Sequence, residues 1–395
     1  MRAAFLSSAL QAGTEIVDYG LVPTPALAYQ TGHTQIQGGV MITASHNPIE
    51  YNGFKIFDSK GESLEDSNIL SRSTEETERQ GAREMGLIQA GNTGDYTQLL
   101  SSIKLKKEWR VILDPGNGAT SRLAPKIYRT VVAKATAINS HPDGRYPGRG
   151  PEPTRESLTT LSRMVSESKA DIGIAFDGDG DRFYVVDEKG TCPLQDRVLA
   201  SYLSFLARDS RGPFLVPVDA SMAVDEAVAS HGARLVRGPV GDAKLLAEMK
   251  KENASFAGEP SGAWIHGKFH PCPDGLLSGL LYLRQLEQLG LTASAAVDDI
   301  PEYYMVRKSV SVPKTATDVD VRVLSEGLET IIGKDAHIDS RFGVRVSSED
   351  SWVLVRESGT EPVVRVTTES KRSSVASRIV KDTIGLISRV FKGRV

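Results

Sequence analysis

A serine and a histidine stand side by side in Thr43-Ala44-Ser45-His46-Asn47-Pro48, directly after the apolar run Gly38-Gly39-Val40-Met41-Ile42. A serine at the end of a strand, on a loop stiffened by proline, can act as an exposed nucleophile, and His46 is near enough to assist locally. The strand-to-helix elbow G-x-S-x-G of a serine hydrolase is absent, and Ser, Asn and Pro also build ordinary polar turns. The hexapeptide alone leaves both readings open. Asp177-Gly178-Asp179-Gly180-Asp181-Arg182 is more specific. Carboxylates at alternate positions converge on one point, and the glycines between them let the backbone curl around a hard cation. A calcium EF-hand competes, because Glu188 falls at the twelfth position, but Arg182 stands where that loop needs glycine and apolar strand-like runs flank it. An acidic hairpin turn is the plainer alternative, and it would crowd three carboxylates together without a counter-charge.

Two further loops could hold a polar ligand. Gly258-Glu259-Pro260-Ser261-Gly262 follows Ser255-Phe256-Ala257 and offers Glu259 and Ser261 to the hydroxyls of a sugar, although an ordinary strand-to-loop turn has the same composition. Arg356-Glu357-Ser358-Gly359-Thr360-Glu361-Pro362, with Arg365 beyond, combines arginines, hydroxyls and a free glycine N–H, which together can hold a phosphate dianion. A solvated turn between strands is the alternative there.

These loops need a scaffold. At 395 residues the chain exceeds one ordinary core and predicts two to four domains. The spacing predicts a helix from Phe5 closed by Gly13, a strand from Ile16, a turn at Pro23 and Pro25, a strand at Gly38–Ile42 and an acidic helix over 64–80. Alternating strands and helices follow from Arg110 to Arg237, the signature of α/β layers, and a pattern of strands and two helices after Pro301 reads as a small α+β unit. Boundaries fall near 100, 193 and 300, dividing the chain into 1–100, 101–193, 194–300 and 301–395. No short sequence repeat is visible.

Composition excludes several classes. With 47 basic against 50 acidic residues and a net charge of −3, no global field favours nucleic acid or a membrane surface. The two cysteines, Cys192 and Cys272, make no disulfide framework and lack zinc spacing, which fits a reducing cytoplasm. No apolar run approaches the roughly 20 residues that span a bilayer. The apolar start around Phe5-Leu6 passes at once into Gln11, Glu15 and Asp18 without a cleavage pattern, so a cytoplasmic location is expected.

Taken together and in this order, the four loops resemble the serine, metal, sugar and phosphate loops of the α-D-phosphohexomutase superfamily, and the resemblance covers almost the whole chain. It implies three similar α/β domains with mixed sheets and a smaller α+β C-terminal domain around a central cleft. It implies that Ser45 is the phosphorylated serine and shares one Mg2+ with Asp177, Asp179 and Asp181. Lys55, in Asn52-Gly53-Phe54-Lys55, resembles the basic residue near the transferred phosphoryl group, and Arg182 the arginine that closes the metal loop. Glu259 and Ser261 resemble the sugar contacts; Arg356, Ser358, Gly359, Thr360 and Arg365 resemble the phosphate clamp. The implied reaction moves phosphate from O6 to O1 of a hexose phosphate through a sugar bisphosphate. The form Gly258-Glu259-Pro260-Ser261-Gly262-Ala263-Trp264-Ile265, with Cys272-Pro273-Asp274-Gly275 after it, is most similar to archaeal-type members acting on glucosamine phosphate, although manno- and glucophosphate mutases share every catalytic element. Two departures stand out. Family members begin with a further segment bearing an arginine and a Gly-Arg-Asp-Thr-Arg-like strand, whereas this chain starts at the helix that follows it. The first domain is therefore expected to show an exposed sheet edge and apolar surface, and a truncated, non-catalytic sugar-phosphate binder is the alternative function. The sugar loop also continues with Ala263-Trp264 where Ser-Gly-His is usual, leaving His266 or His270 to substitute.

Overall fold

The computed structural model describes residues 1–65, 85–311, 321–357 and 363–392. Two four-stranded sheets form its middle. The first runs Lys134–Ala137, Arg110–Asp114, Ile172–Phe176, Phe183–Val186; the second runs Leu235–Gly238, Phe214–Pro217, Phe256–Gly258, Trp264–His266. In each, the first three strands are parallel and the last is antiparallel, so the two sheets repeat one topology that the sequence conceals. Ile172–Phe176 and Phe214–Pro217 are buried along their whole length, which is why they are apolar runs without alternation: parallel strands covered on both faces need apolar residues throughout. The acidic loop is the hairpin between Ile172–Phe176 and Phe183–Val186, and the Glu259 loop is the corresponding hairpin between Phe256–Gly258 and Trp264–His266.

One core unites the first three units, running from Ala26 through Phe176, Phe183 and Phe214 to Trp264 and Leu286. The helix Gly275–Leu289 is its axle. It is apolar nearly all round and buried over most of its length, capped by Asp274, whose side chain accepts Leu277 N at 3.0 Å, and closed by Gly290 at φ 66°. The C-terminal unit has a separate core under a five-stranded antiparallel sheet, packed by the helices Val321–Ile332 and Ser373–Lys392. It docks on the third unit through Trp352 and Leu354 against Val218 and Met222, and Glu369 accepts both Met222 N (2.8 Å) and Trp352 Nε1 (2.6 Å).

The first hundred residues differ. Ile16–Asp18 pairs with Ile88–Ala90 in parallel and Gly38–Ile42 pairs with Phe54–Asp58 antiparallel, as two separate two-stranded sheets. Ile88–Ala90 is exposed along its length, and Tyr51, Phe54 and Leu87 are at least half exposed, as expected of this unit from the sequence. The turn expected at Pro23 and Pro25 is instead the start of a buried helix, Thr24–His33. Proline is compatible with a first helical turn because the N–H it lacks would have no partner there. The helix expected over 64–80 falls almost wholly outside the described residues. No described helix is long and apolar enough to cross a membrane.

Candidate active site

The strand Gly38–Ile42 ends in a turn that places Ser45 at φ 52°, a left-handed conformation unusual for serine, held by Ser45 N on Thr43 Oγ1 (2.8 Å) and Asn47 N on Ala44 O (2.9 Å). Ser45 Oγ lies 3.0 Å from Asp177 Oδ2, and His46 Nδ1 lies 3.3 Å from Ser45 Oγ. The serine loop reaches the acidic loop because position 178 has no side chain: a Cβ there would stand 2.4 Å from Ser45 O and 2.9 Å from Tyr146 Oη.

Asp177, Asp179 and Asp181 are almost fully buried, with carboxylate oxygens within 4.8 Å of one another. In each, at least one oxygen is tied. Asp177 Oδ1 accepts Gly180 N (3.0 Å) and Arg182 N (3.1 Å); Asp179 Oδ2 accepts Thr24 Oγ1 (2.7 Å) and faces Lys55 Nζ at 3.0 Å; Asp181 Oδ2 accepts from Lys55 Nζ. Asp179 Oδ1 and Asp181 Oδ1 are buried with no hydrogen-bond partner among the described residues. Buried carboxylate oxygens without donors are costly, and an oxygen-only set of this kind suits a hard divalent cation. These residues therefore fit the metal that the sequence points to.

The charges are strongly coupled. Burial and the neighbouring carboxylates push Asp177 well above the usual range. Burial and Asp179 push Asp181 up to about 6. Burial also opposes ionisation of Asp179, but Lys55 and the Thr24 hydroxyl outweigh it and hold that carboxyl at about 2. Burial lowers the Lys55 and Arg182 values, yet the surrounding carboxylates reverse the direction and keep both firmly protonated. Burial, then Arg182, lowers His46, so its imidazole is favoured neutral.

Lys55 sits opposite Met41 in the strand pair that carries the serine loop, and its ammonium also lies 3.8 Å from Asp242 Oδ2. Asp242 opens the helix Asp242–Lys251, and Gly241 N donates to Glu259 Oε1 at 2.8 Å. Glu259 Oε2 accepts Ser261 Oγ at 3.0 Å. Burial, then Asp242, pushes the Glu259 carboxyl up to about 7. The sugar loop is stitched to the metal loop by Phe183 N on Gly262 O (3.2 Å) and by the bridge between Arg182 and Ala263. Both nearby histidines are buried and bonded through one ring nitrogen: His266 Nε2 is 3.0 Å from Ser278 Oγ and His270 Nε2 is 2.9 Å from Asp274 Oδ2, while His270 Nδ1 has no partner among the described residues.

Ser45, His46, Lys55, Arg182 and the three aspartates are thus brought together, with Glu259 and Ser261 one hydrogen-bonded step away through Gly241 and Asp242. Arg356 and Arg365 form a separate pair, directly opposite on adjacent strands, with Arg356 Nη2 at 3.9 Å from Asp219 Oδ2. A cavity of about 710 Å3 between the third and fourth units is lined by Lys244, Phe342 and Arg356 among others, within the size range of small-ligand pockets. Ser358, Gly359 and Thr360 lie outside the described residues. Thr24 and Asp242 were not singled out from the sequence. Gly241-Asp242 before an apolar helical period is a visible helix-start signal, but nothing local ties it to the serine loop.

Four domain profiles cover nearly all of the chain: phosphoglucomutase/phosphomannomutase alpha/beta/alpha domains I (residues 1–80), II (94–190) and III (195–304), and the C-terminal domain (312–386). The chain belongs to the phosphoglucomutase/phosphomannomutase family, within the α-D-phosphohexomutase superfamily, and is a phosphohexomutase-type enzyme. It is 36% identical to the probable phosphoglucosamine mutase of Methanothermobacter thermautotrophicus, over 98% of this chain and 87% of that protein. It is 33% identical to the phosphoglucosamine mutase of Methanococcus maripaludis, over 100% and 90%. Among solved structures, a phosphoglucomutase/phosphomannomutase family protein from Burkholderia thailandensis superposes with TM-score 0.84 at 25% identity, covering 98% of this chain and 86% of that one. The N-acetylphosphoglucosamine mutase of Aspergillus fumigatus, solved with GlcNAc-6P and magnesium, shares the fold at TM-score 0.66 and 16% identity, covering 99% of each chain.

Proposed function

We propose that the protein interconverts glucosamine 6-phosphate and glucosamine 1-phosphate through phosphorylated Ser45 and a bisphosphorylated sugar. The observation that carries this reading is the seating of Ser45 Oγ 3.0 Å from Asp177 Oδ2, at the rim of a buried carboxylate trio with two unpartnered oxygens. One Mg2+ held by Asp177, Asp179, Asp181 and the Ser45 phosphate would supply neutralisation of the phosphoryl oxygens. Lys55 and Arg182 keep their positive charge beside that point and offset negative charge as the phosphoryl group moves. In the first half-reaction the Ser45 Oγ–P bond breaks as a bond forms between phosphorus and the free sugar hydroxyl, whose proton leaves to a base. Neutral His46, beside Ser45 Oγ, is placed to take part in that proton movement. After the bisphosphate turns end over end, the serine accepts the other phosphate.

Glu259 and Ser261 are proposed to receive the sugar hydroxyls, and Arg356 and Arg365, with Ser358, Gly359 and Thr360, the phosphate that is not reacting. The names of the archaeal relatives support the amino sugar as substrate. Side-by-side kcat/KM values on the 6-phosphates of glucosamine, glucose and mannose test it, with Ser45→Ala as the control. Glucosamine 6-phosphate should give the highest value, and the Ser45→Ala protein should be inactive on all three. If the amino sugar is the poorest substrate, the assignment is wrong. Full activity of the Ser45→Ala protein would remove the serine mechanism.

A further inference from the structure

The acidic loop is gripped from outside by a residue to which neither the family resemblance nor the sequence reading assigns a role. Thr24, the first residue of the helix Thr24–His33, holds residue 179 at two points: its backbone N–H donates to Asp179 O at 2.8 Å, and its hydroxyl donates to Asp179 Oδ2 at 2.7 Å. The contact joins residues 155 positions apart and is buried, with Thr24 only 1% exposed. Pro23 completes the seat, since a Cβ on Gly180 would lie 3.2 Å from Pro23 Cβ. The hydroxyl is not needed by its own helix, whose N-terminus has no side-chain cap. Its bond does something else. With Oδ2 engaged by Thr24 and Lys55, the carboxylate of Asp179 is fixed about its last torsion, and Oδ1 is left buried without a partner.

We propose that Thr24 is a positioning residue for the divalent cation: it fixes the rotation of Asp179 so that Oδ1 is presented to the metal, and it ties the unit that carries Ser45 to the unit that carries the metal loop. The inference rests on the metal reading of the aspartate trio. Outer hydrogen bonds of this kind orient metal-binding carboxylates, and losing one typically weakens metal binding by about 10–100-fold. Lys55 remains on Oδ2 in a Thr24 variant, but a flexible ammonium shared with Asp181 and Asp242 restrains the rotation less than a hydroxyl fixed by its own backbone bond.

The test is titration calorimetry with magnesium chloride alone, on the full chain carrying unphosphorylated Ser45. Thr24→Val keeps the shape and removes the donor, and Thr24→Ser restores it. Thr31→Val is the control, because Thr31 is equally buried in the same helix but its hydroxyl donates to Leu27 O (2.9 Å) and, among the described residues, not to the acidic loop. The magnesium Kd should rise by about 10–100-fold in Thr24→Val and stay near wild type in Thr24→Ser and Thr31→Val. If Val is poorly accommodated, Thr24→Ala, which keeps the backbone bond, should show the same loss. Wild-type affinity in the folded Thr24→Val or Thr24→Ala protein overturns the proposal. So does an equal loss in Thr31→Val, which would assign the effect to a loosened helix. Failure of the wild-type protein to bind magnesium would overturn the metal reading and this inference together, and is distinct from both other results.

Discussion

Gly178→Ala is the smallest change that should separate folding from catalysis. The residue lies outside the left-handed region, so alanine is compatible with its backbone and the penalty is one of space. The new methyl would stand 2.4 Å from Ser45 O, a backbone atom that cannot turn aside, and 2.9 Å from Tyr146 Oη, which can. An unstrained contact needs about 3.4 Å, so the serine loop must retreat by roughly 1 Å from the acidic loop, and misplacement of that size costs on the order of 100-fold in rate. The substrate loops near Glu259 and Arg356 are not touched, so KM should change little while kcat falls about 100-fold. Steady-state kinetics beside wild type, with intact-mass measurement of Ser45 phosphate, reads the effect. A Gly178→Ala enzyme with kcat within about threefold of wild type would refute the view that this close approach sets the serine.

Other consequences follow from buried charge. Arg149 and Asp114 form a buried pair at 2.9 Å, and Arg149 also donates to Phe176 O at 2.6 Å, at the root of the metal loop. Arg149→Met should cost about 3–5 kcal/mol in urea unfolding by stranding the carboxylate, and a loss under about 1 kcal/mol would contradict this. Burial, with His270 and Arg284 adding to it, depresses His266 to about 3, below its unfolded value of 6.5. The neutral ring therefore contributes its full stability above pH 6.5 and loses it as pH falls toward 3, at about 1.4 kcal/mol per pH unit. His266→Gln should flatten the stability profile over that window, and parallel profiles would show that the ring is not the cause. Asp181, pushed up to about 6, and Asp177, held well above the usual carboxylate range by burial and its neighbouring carboxylates, must lose protons to take a cation, so magnesium affinity should fall as pH drops through 6. A magnesium Kd that is flat from pH 8 to pH 5 would refute that linkage.

The acidic loop was legible in the sequence because its ligands alternate over six consecutive residues, a local pattern that needs no partner to be recognised. The serine loop was legible as a strand end, but the register that brings Lys55 opposite Met41 was not: no strand was expected at Phe54–Asp58, and Lys55 was singled out only by the family resemblance. Thr24 was not legible: paired prolines suggest a turn as readily as a helix start, and its bond to Asp179 spans most of two units. Asp242 was hidden for the same reason, since its place beside Lys55 depends on how the third unit packs against the first. The repeated topology of the two middle sheets leaves no trace in sequence because many apolar residues satisfy the same buried strand. The exposed strand Ile88–Ala90 was foreseen only as a property of the unit, not by position.

Direct transfer of phosphate from Ser45 is the claim on which the rest depends. Protein carrying isotopically labelled phosphate on Ser45 should be mixed with unlabelled glucosamine 6-phosphate in magnesium for a single turnover, and the label followed. Label should leave the protein and appear in sugar phosphate within the time of one turnover, with Asp179→Asn slowing its departure. Label that stays on Ser45 while glucosamine 1-phosphate accumulates at the wild-type rate would contradict the phosphoserine mechanism.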